Sequence, residues 1–332
     1  MKINKSKIFN YISFIVALVI LYFVFNWFID DLDFNEIITS LNNLSILQLI
    51  LLILSAIFNI WIFQYPYLVT TKGLKYSQAF KVRNASFAIS NCIPAGGTVG
   101  LAAQYAMLKS FGVSNQGIST TVGIASVWNG LISYFMPVLG LISLSFSTAP
   151  TPGLISSTAL GTVVLIFTII ILFLLFKSES LSMKTARILD FLIKPIGQIM
   201  KRKWNFSNIF NDFRKLVITT VKEKWLQITF SNLLVQFSMF FIFWASCFAV
   251  NIELSVFILF AAFCFGRFGT VIPFTPGGVG TTDVIMVSTL ILYGASETSA
   301  FTAVLLWRTF YYLPQVLLGV FSYFQWQLTR SN

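Results

Sequence analysis

"FTPGGVGTTD", Phe274 to Asp283, interrupts one of the most apolar parts of the chain with a proline, two adjacent glycines, threonines and an aspartate. Proline removes a backbone donor, and glycine costs a helix about 1 kcal/mol relative to alanine, so a continuous helix is not expected through this run. A second interruption, "CIPAGGTVGLA" from Cys92 to Ala102, has the same character in the first half of the chain. Non-helical backbone at membrane depth is tolerated only where protein or a water-filled cavity surrounds it. Each stretch therefore predicts two half-helices that meet inside the membrane, with the glycines allowing a tight reversal and close approach of backbone to a ligand.

The surrounding composition places the chain in a membrane. Of 332 residues, 57% are hydrophobic and 10% charged, with mean hydropathy +0.82. Soluble domains carry about 25% charged residues. The short alternating segments of a membrane β-barrel are absent. About twenty apolar residues cross the hydrocarbon. Six runs qualify as full spans: about 8–29, 44–65, 117–146, 154–176, 225–250 and 299–326. Two regions, about 78–109 and 254–295, are apolar but broken, and each half is short for a crossing. The predicted fold is an all-α polytopic membrane protein with six full transmembrane helices and two re-entrant helical hairpins. It forms one membrane domain over 1–332. The N-terminal run is too long for a signal-peptide core and lacks an A-x-A site, so it reads as a retained first helix.

The net charge of +11 does not indicate nucleic acid, because the basic residues lie between apolar runs. With both termini cytoplasmic, nearly all of the 22 basic residues fall on the cytoplasmic side, including Lys81 and Arg83. The outer loops hold Asp30, Asp31, Asp33, Glu36, Glu253 and Glu297 without Lys or Arg. The positive-inside rule supports this orientation and a multi-pass location in the cytoplasmic (inner) membrane. The basic segment 177–224 reads as a cytoplasmic interfacial loop on anionic leaflet lipids.

The two halves, about 8–146 and 154–326, resemble each other. Pro94-Ala95-Gly96-Gly97 matches Thr275-Pro276-Gly277-Gly278, Gly112-Val113-Ser114 matches Gly294-Ala295-Ser296, Trp128-Asn129 matches Trp307-Arg308, and Pro137 and Gly140 match Pro314 and Gly319. Each half reads as span, span, hairpin, span, but the halves start on opposite faces. Such inverted-topology repeats with broken helices characterise many secondary transporters, whose binding site lies near mid-membrane.

Arg267, Asp283 and Arg308 are not assigned to water-facing loops. Charged residues at membrane depth are expensive and functional by default. A new helix is expected to start near Thr281, with Thr281 or Thr282 as cap and an N-terminus suited to an anion. Asp283 is the remaining intramembrane carboxylate, so an Asp283–Arg308 contact is expected. It either holds the hairpin or places Arg308 on a lipid phosphate. The candidate binding residues are Gly96, Gly97, Arg267, Pro276, Gly277, Gly278, Gly280, Thr281, Thr282, Asp283 and Arg308. Gly278-Val279-Gly280 is no dinucleotide fingerprint, lacking a third glycine and a strand.

The chain has no histidine, which removes the commonest acid/base and metal ligand. Cys92, Cys247 and Cys264 lie far apart in apolar runs and read as small buried hydrophobes. No catalytic constellation, metal or cofactor is expected, so an enzyme is not the first reading.

At "IPFTPGGVGTTD", "LLWRTFYYLPQVLLG", "CIPAGGTVGLAAQYAMLKSFGVS" and "VWNGLISYFMPVLG" the chain resembles the transmembrane region of lysylphosphatidylglycerol synthases and its stand-alone, flippase-like relatives. The resemblance covers about 44–326. It implies a helical bundle with two re-entrant hairpins that moves an anionic or modified phospholipid, or a polyprenyl-linked lipid, between leaflets. Many relatives have Glu in place of Asp283. Many also carry Glu and Arg where this chain has uncharged Thr98 to Gln104. A lysyl-transferring soluble domain is not expected within this sequence. The partners implied are membrane phospholipid or lipid-linked substrate. The oligomeric state is left open. Two other readings remain: a non-transporting membrane subunit of an envelope lipid or glycan pathway, and an intramembrane lipid-modifying enzyme.

Overall fold

The computed structural model describes residues 34–92, 96–147, 206–270 and 280–330, with further positions inside 153–170. Regular structure among the described residues is entirely helical. In chain order the helices are α1 (Phe34–Asn42), α2 (Ile46–Ile62), α3 (Tyr65–Thr70), α4 (Tyr76–Cys92), α5 (Gly96–Ser110), α6 (Asn115–Ser145), α7 (Phe206–Ala249), α8 (Val256–Gly269), α9 (Thr281–Leu292) and α10 (Glu297–Arg330).

Among the described residues four stretches are long and apolar enough to cross a membrane: Ile46–Thr70, Asn115–Ser145, Arg214–Ala249 and Glu297–Thr329. Val256–Gly269 and Thr281–Leu292 are shorter apolar helices. The protein is thus a multi-pass helical membrane protein. The expected span at 8–29 and the apexes 93–95 and 271–279 lie outside the described residues, as does much of the span at 154–176.

Both broken regions fold back on themselves. In the first, Ser86 Oγ on α4 donates to the Gly100 carbonyl on α5 at 3.3 Å, and Gln104 Nε2 donates to Ser86 Oγ. In the second, Thr281 Oγ1 on α9 donates to the Gly269 carbonyl on α8 at 3.1 Å. These cross-links join later residues of one half-helix to earlier residues of the other, so each pair is antiparallel.

The matched sequence signals fold alike. Gly112 and Gly294 have φ +83° and +105°, the left-handed region that glycine enters without steric cost. Around them Val113 N–H reaches the Leu108 carbonyl and Ala295 N–H the Leu290 carbonyl. Each is the 6→1 bond of a Schellman ending. Two residues past each glycine, Ser114 Oγ accepts from Gly117 N–H and Ser296 Oγ accepts from Ser299 N–H. A helix therefore ends and the next is capped within four residues, in both halves.

The halves also exchange contacts. A Cβ on Gly140 of α6 would stand 3.2 Å from Cys264 Cβ and 3.1 Å from the Phe265 ring on α8. A Cβ on Gly319 of α10 would run into the Asn84 carbonyl and Ala88 Cβ on α4. Each half's hairpin thus packs against the long closing span of the other half. Within the bundle, Asn59 Nδ2 donates to Ser238 Oγ at 2.8 Å and Gln315 Nε2 to Asn59 Oδ1 at 2.6 Å, tying α2, α7 and α10. Buried polar groups need such partners where no water is at hand.

One boundary differs from the sequence reading. The interfacial loop expected over 177–224 does not extend to 224, because 206–224 continues directly into α7. At about 66 Å this helix is twice the ~30 Å hydrocarbon thickness. Packing explains the extension: Val217 and Ile228 are buried with Ile124 of α6, and Val69, Trp128 and Val221 pack against them. Lys224 Nζ donates to the Val69 carbonyl at 2.9 Å, so a basic residue ties the middle of the helix to α3.

Substitution at the crossed contacts tests them. Gly319→Leu should overpack α10 against the α4 backbone and lower stability by about 3 kcal/mol or more. Gly130→Ala, where an added Cβ meets nothing within 4 Å, should match the parent or melt slightly higher. Thermal unfolding in detergent distinguishes the two.

Candidate functional site

Two clusters of intramembrane charge emerge, and they differ in how the charge is met. The first is at the start of α9. Gly280 takes φ +92° and stands as its N-cap, rather than Thr281 or Thr282 as expected. Its N–H is satisfied by Asp283 Oδ2 at 2.8 Å, which frees the threonines for other tasks. Thr281 bridges to α8, and Thr282 is fully buried with Oγ1 unpaired among the described residues. The Asp283 carboxylate also accepts from Arg308 of α10, Nε to Oδ1 at 2.6 Å and Nη2 to Oδ2 at 3.1 Å. Arg308 further lies over the Trp307 and Tyr312 rings at 5.0 and 4.8 Å. One carboxylate therefore caps α9, fixes α10 against it and neutralises a guanidinium. The geometry is the bidentate fork that Arg and carboxylate favour.

The second cluster surrounds a cavity of about 260 Å³ between the halves. Arg267 of α8 and Arg83 of α4 both line it, with Tyr67, Gln104, Asn129 and Gln236. Asn129, Gln236 and the lining residue Tyr311 sit near the middle of the spans Asn115–Ser145, Arg214–Ala249 and Glu297–Thr329. The cavity is therefore near mid-depth of the bundle. Arg267 is 9% exposed. Its Nε donates to Gln236 Oε1 at 3.0 Å, and Gln236 Nε2 donates to Asn129 Oδ1 at 3.4 Å. This amide relay runs across α6, α7 and α8 and orients the guanidinium. Arg83 lies over the Phe63 ring at 4.0 Å and the Tyr67 ring at 4.7 Å, and its Nε donates to the Phe63 carbonyl at 3.2 Å. Tyr67 is itself pinned, its hydroxyl donating to Gln104 Oε1 at 2.6 Å.

Among the described residues neither Arg83 nor Arg267 forms an ion pair, and no Asp or Glu lines the cavity. An arginine at the centre of a membrane helix costs about 2.5–3.5 kcal/mol on insertion scales. Neutral amides and rings offset part of that. An anion would offset much more, since a guanidinium matches carboxylate or phosphate bidentately.

Of the residues singled out in the sequence, Arg267 lines the cavity. Gly96 opens α5, and Gly97 beside it is exposed. Gly280, Asp283 and Arg308 build the first cluster. Pro276, Gly277 and Gly278 lie outside the described residues. Sequence reasoning missed Arg83, which counts with Lys81 as a cytoplasmic charge in the orientation argument. The signal for it was the polar run Asn84, Ser86, Ser90 and Asn91 that follows on α4, too polar for a lipid-facing helix. Asn129 was flagged only as the counterpart of Arg308 in the repeat.

The chain was compared with known proteins. A family model described as lysylphosphatidylglycerol synthase TM region matches residues 11–319. No curated protein matches the chain.

Asp283→Asn retains an oxygen for Gly280 N–H but strips Arg308 of its counter-charge. It should lower stability by about 1–3 kcal/mol, the cost of removing one partner from a part-buried pair. Adding Arg308→Gln should recover part of that loss. Denaturation of the two singles and the double as a mutant cycle checks the coupling.

Proposed function

The chain belongs to the lysylphosphatidylglycerol synthase transmembrane-region family, and on that premise we propose that it is a flippase-like lipid transporter. It carries an anionic or modified phospholipid, or a polyprenyl-linked lipid, between leaflets of the cytoplasmic membrane. Family membership supports the coarser statement directly: a membrane protein of lipid or envelope pathways. The finer reading is carried by one observation, the polar cavity between two halves whose hairpins each pack on the other half's closing span.

Transport across a bilayer needs a headgroup-compatible site near mid-depth and two gates. In this reading α4–α5 enters as a re-entrant hairpin from the cytoplasmic face and α8–α9 from the outer face, with both termini cytoplasmic. Rocking of one half against the other opens the cavity alternately to each side. The Asp283–Arg308 pair lets α9 and α10 move as a unit, because a hairpin tip held by a neutralised charge pair need not recruit water. The basic start of α7, with exposed Lys215 and Lys222, rests near anionic leaflet lipid. The chemistry is movement rather than bond breaking, so no catalytic residue is assigned.

The test is reconstitution into vesicles with headgroup-labelled lipids and a membrane-impermeant quencher. Protein-loaded vesicles should exchange a labelled anionic lipid at least tenfold faster than protein-free ones. Arg267→Gln should remove most of the difference. Equal exchange with and without protein across several lipid classes would rule transport out.

A further inference from the structure

We infer that the cavity between the halves is a site for a net-negative phosphate ester, gripped by Arg83 and Arg267 from opposite repeats, and that it disfavours aminoacylated, cationic headgroups. What the lipid does after binding rests on the transport reading above. The assignment of the headgroup does not.

Arg267 is buried to nine-tenths, lines the cavity and has no carboxylate partner among the described residues. Its single hydrogen bond is through Nε to a neutral amide, which orients the fork without neutralising it. Arg83 contributes a second cation, held over the Phe63 and Tyr67 rings. The contrast with Arg308 is informative. Where the fold needs a neutral charge, it supplies Asp283 with bidentate geometry. At the cavity it supplies amides and a phenol instead. A site with two guanidiniums and, among the described residues, no acid suits an anion that arrives from outside the chain.

Size and chemistry narrow the anion. A cavity of about 260 Å³ falls below the ~300–1,000 Å³ of pockets that enclose a whole drug-sized ligand. It suits a headgroup whose acyl or prenyl chains remain outside. A phosphate ester offers several oxygens to two forks at once, and Arg is the residue suited to that planar recognition. Asn129 also lines the cavity. An aminoacylated headgroup would bring an ammonium beside two guanidiniums with no carboxylate to receive it, and like charges juxtaposed in a buried site oppose binding. The prediction thus departs from the lipid that the family's description names.

Native mass spectrometry of the purified full-length chain tests this, with an equimolar mixture of phosphatidylglycerol, phosphatidylcholine and lysyl-phosphatidylglycerol. The wild type should retain phosphatidylglycerol at least tenfold over the other two, and Arg83→Gln or Arg267→Gln should each lower that retention tenfold. Separate additions of a polyprenyl phosphate and of inorganic phosphate identify the source of the ester. Either one displacing phosphatidylglycerol supports the shared chemistry. Wild-type retention of lysyl-phosphatidylglycerol or phosphatidylcholine equal to that of phosphatidylglycerol overturns the inference, whether or not the variants fold. Vesicle exchange on the same preparations separates the two claims. Arginine-dependent binding without exchange ends the transport reading and leaves the headgroup assignment standing. Retention and exchange that are both indifferent to the two arginine substitutions end the headgroup assignment and leave transport standing, at another site.

Discussion

Inside hydrocarbon there is no water to receive the free end of a helix or a charged side chain, and this constraint governs the architecture. A half-helix that stops at membrane depth must have its backbone ends and its charges met by protein. At α9 one carboxylate meets both demands, accepting the Gly280 N–H and the Arg308 fork together. Between α4 and α5, buried polar side chains satisfy one another, with Ser86, Gln104 and Tyr67 linked in one chain of hydrogen bonds. Both hairpins then seat on the opposite half at glycines, Gly319 where a Cβ would run into the α4 backbone and Gly140 where one would crowd Cys264 and Phe265 of α8. The cavity is what remains between halves locked in this crossed manner.

Much of the secondary structure was legible because membrane helices are read by length and apolarity, and breaks by glycine and proline. The spans beginning near Ile46, Asn115 and Glu297 follow that logic. So do the matched Gly-x-Ser turns, whose left-handed glycine and serine cap are local chemistry. The extension of α7 was less legible. Its residues 206–224 are basic and interrupted by polar side chains, and only burial of Val217 and Ile228 against α6 and α3 keeps them in one helix.

The site was half legible. An aspartate and an arginine isolated in apolar sequence must find each other, and Asp283 and Arg308 do. The cap at Gly280 escaped notice because Ser and Thr are the usual capping residues, whereas here a glycine takes φ +92° and the Asp283 side chain reaches back to its N–H. Arg83 escaped for a different reason. Positive charge near a span's end reads as an orientation signal, and only tertiary packing reveals that this one lines a cavity between the halves. Asn129 was visible only as the repeat counterpart of Arg308, and Gln236 carries no sequence signature. Their role exists only because α6, α7 and α8 converge.

Two arginines with no acid beside them among the described residues are the feature that most needs a cause, and a bound anion supplies it. The most direct measurement is an electron cryo-microscopy map of the chain in phosphatidylglycerol nanodiscs. The account predicts headgroup density with its phosphate within hydrogen-bonding distance of both the Arg83 and Arg267 guanidiniums. A map in which a carboxylate of the chain pairs with Arg267, or in which side chains fill the cavity, would contradict it.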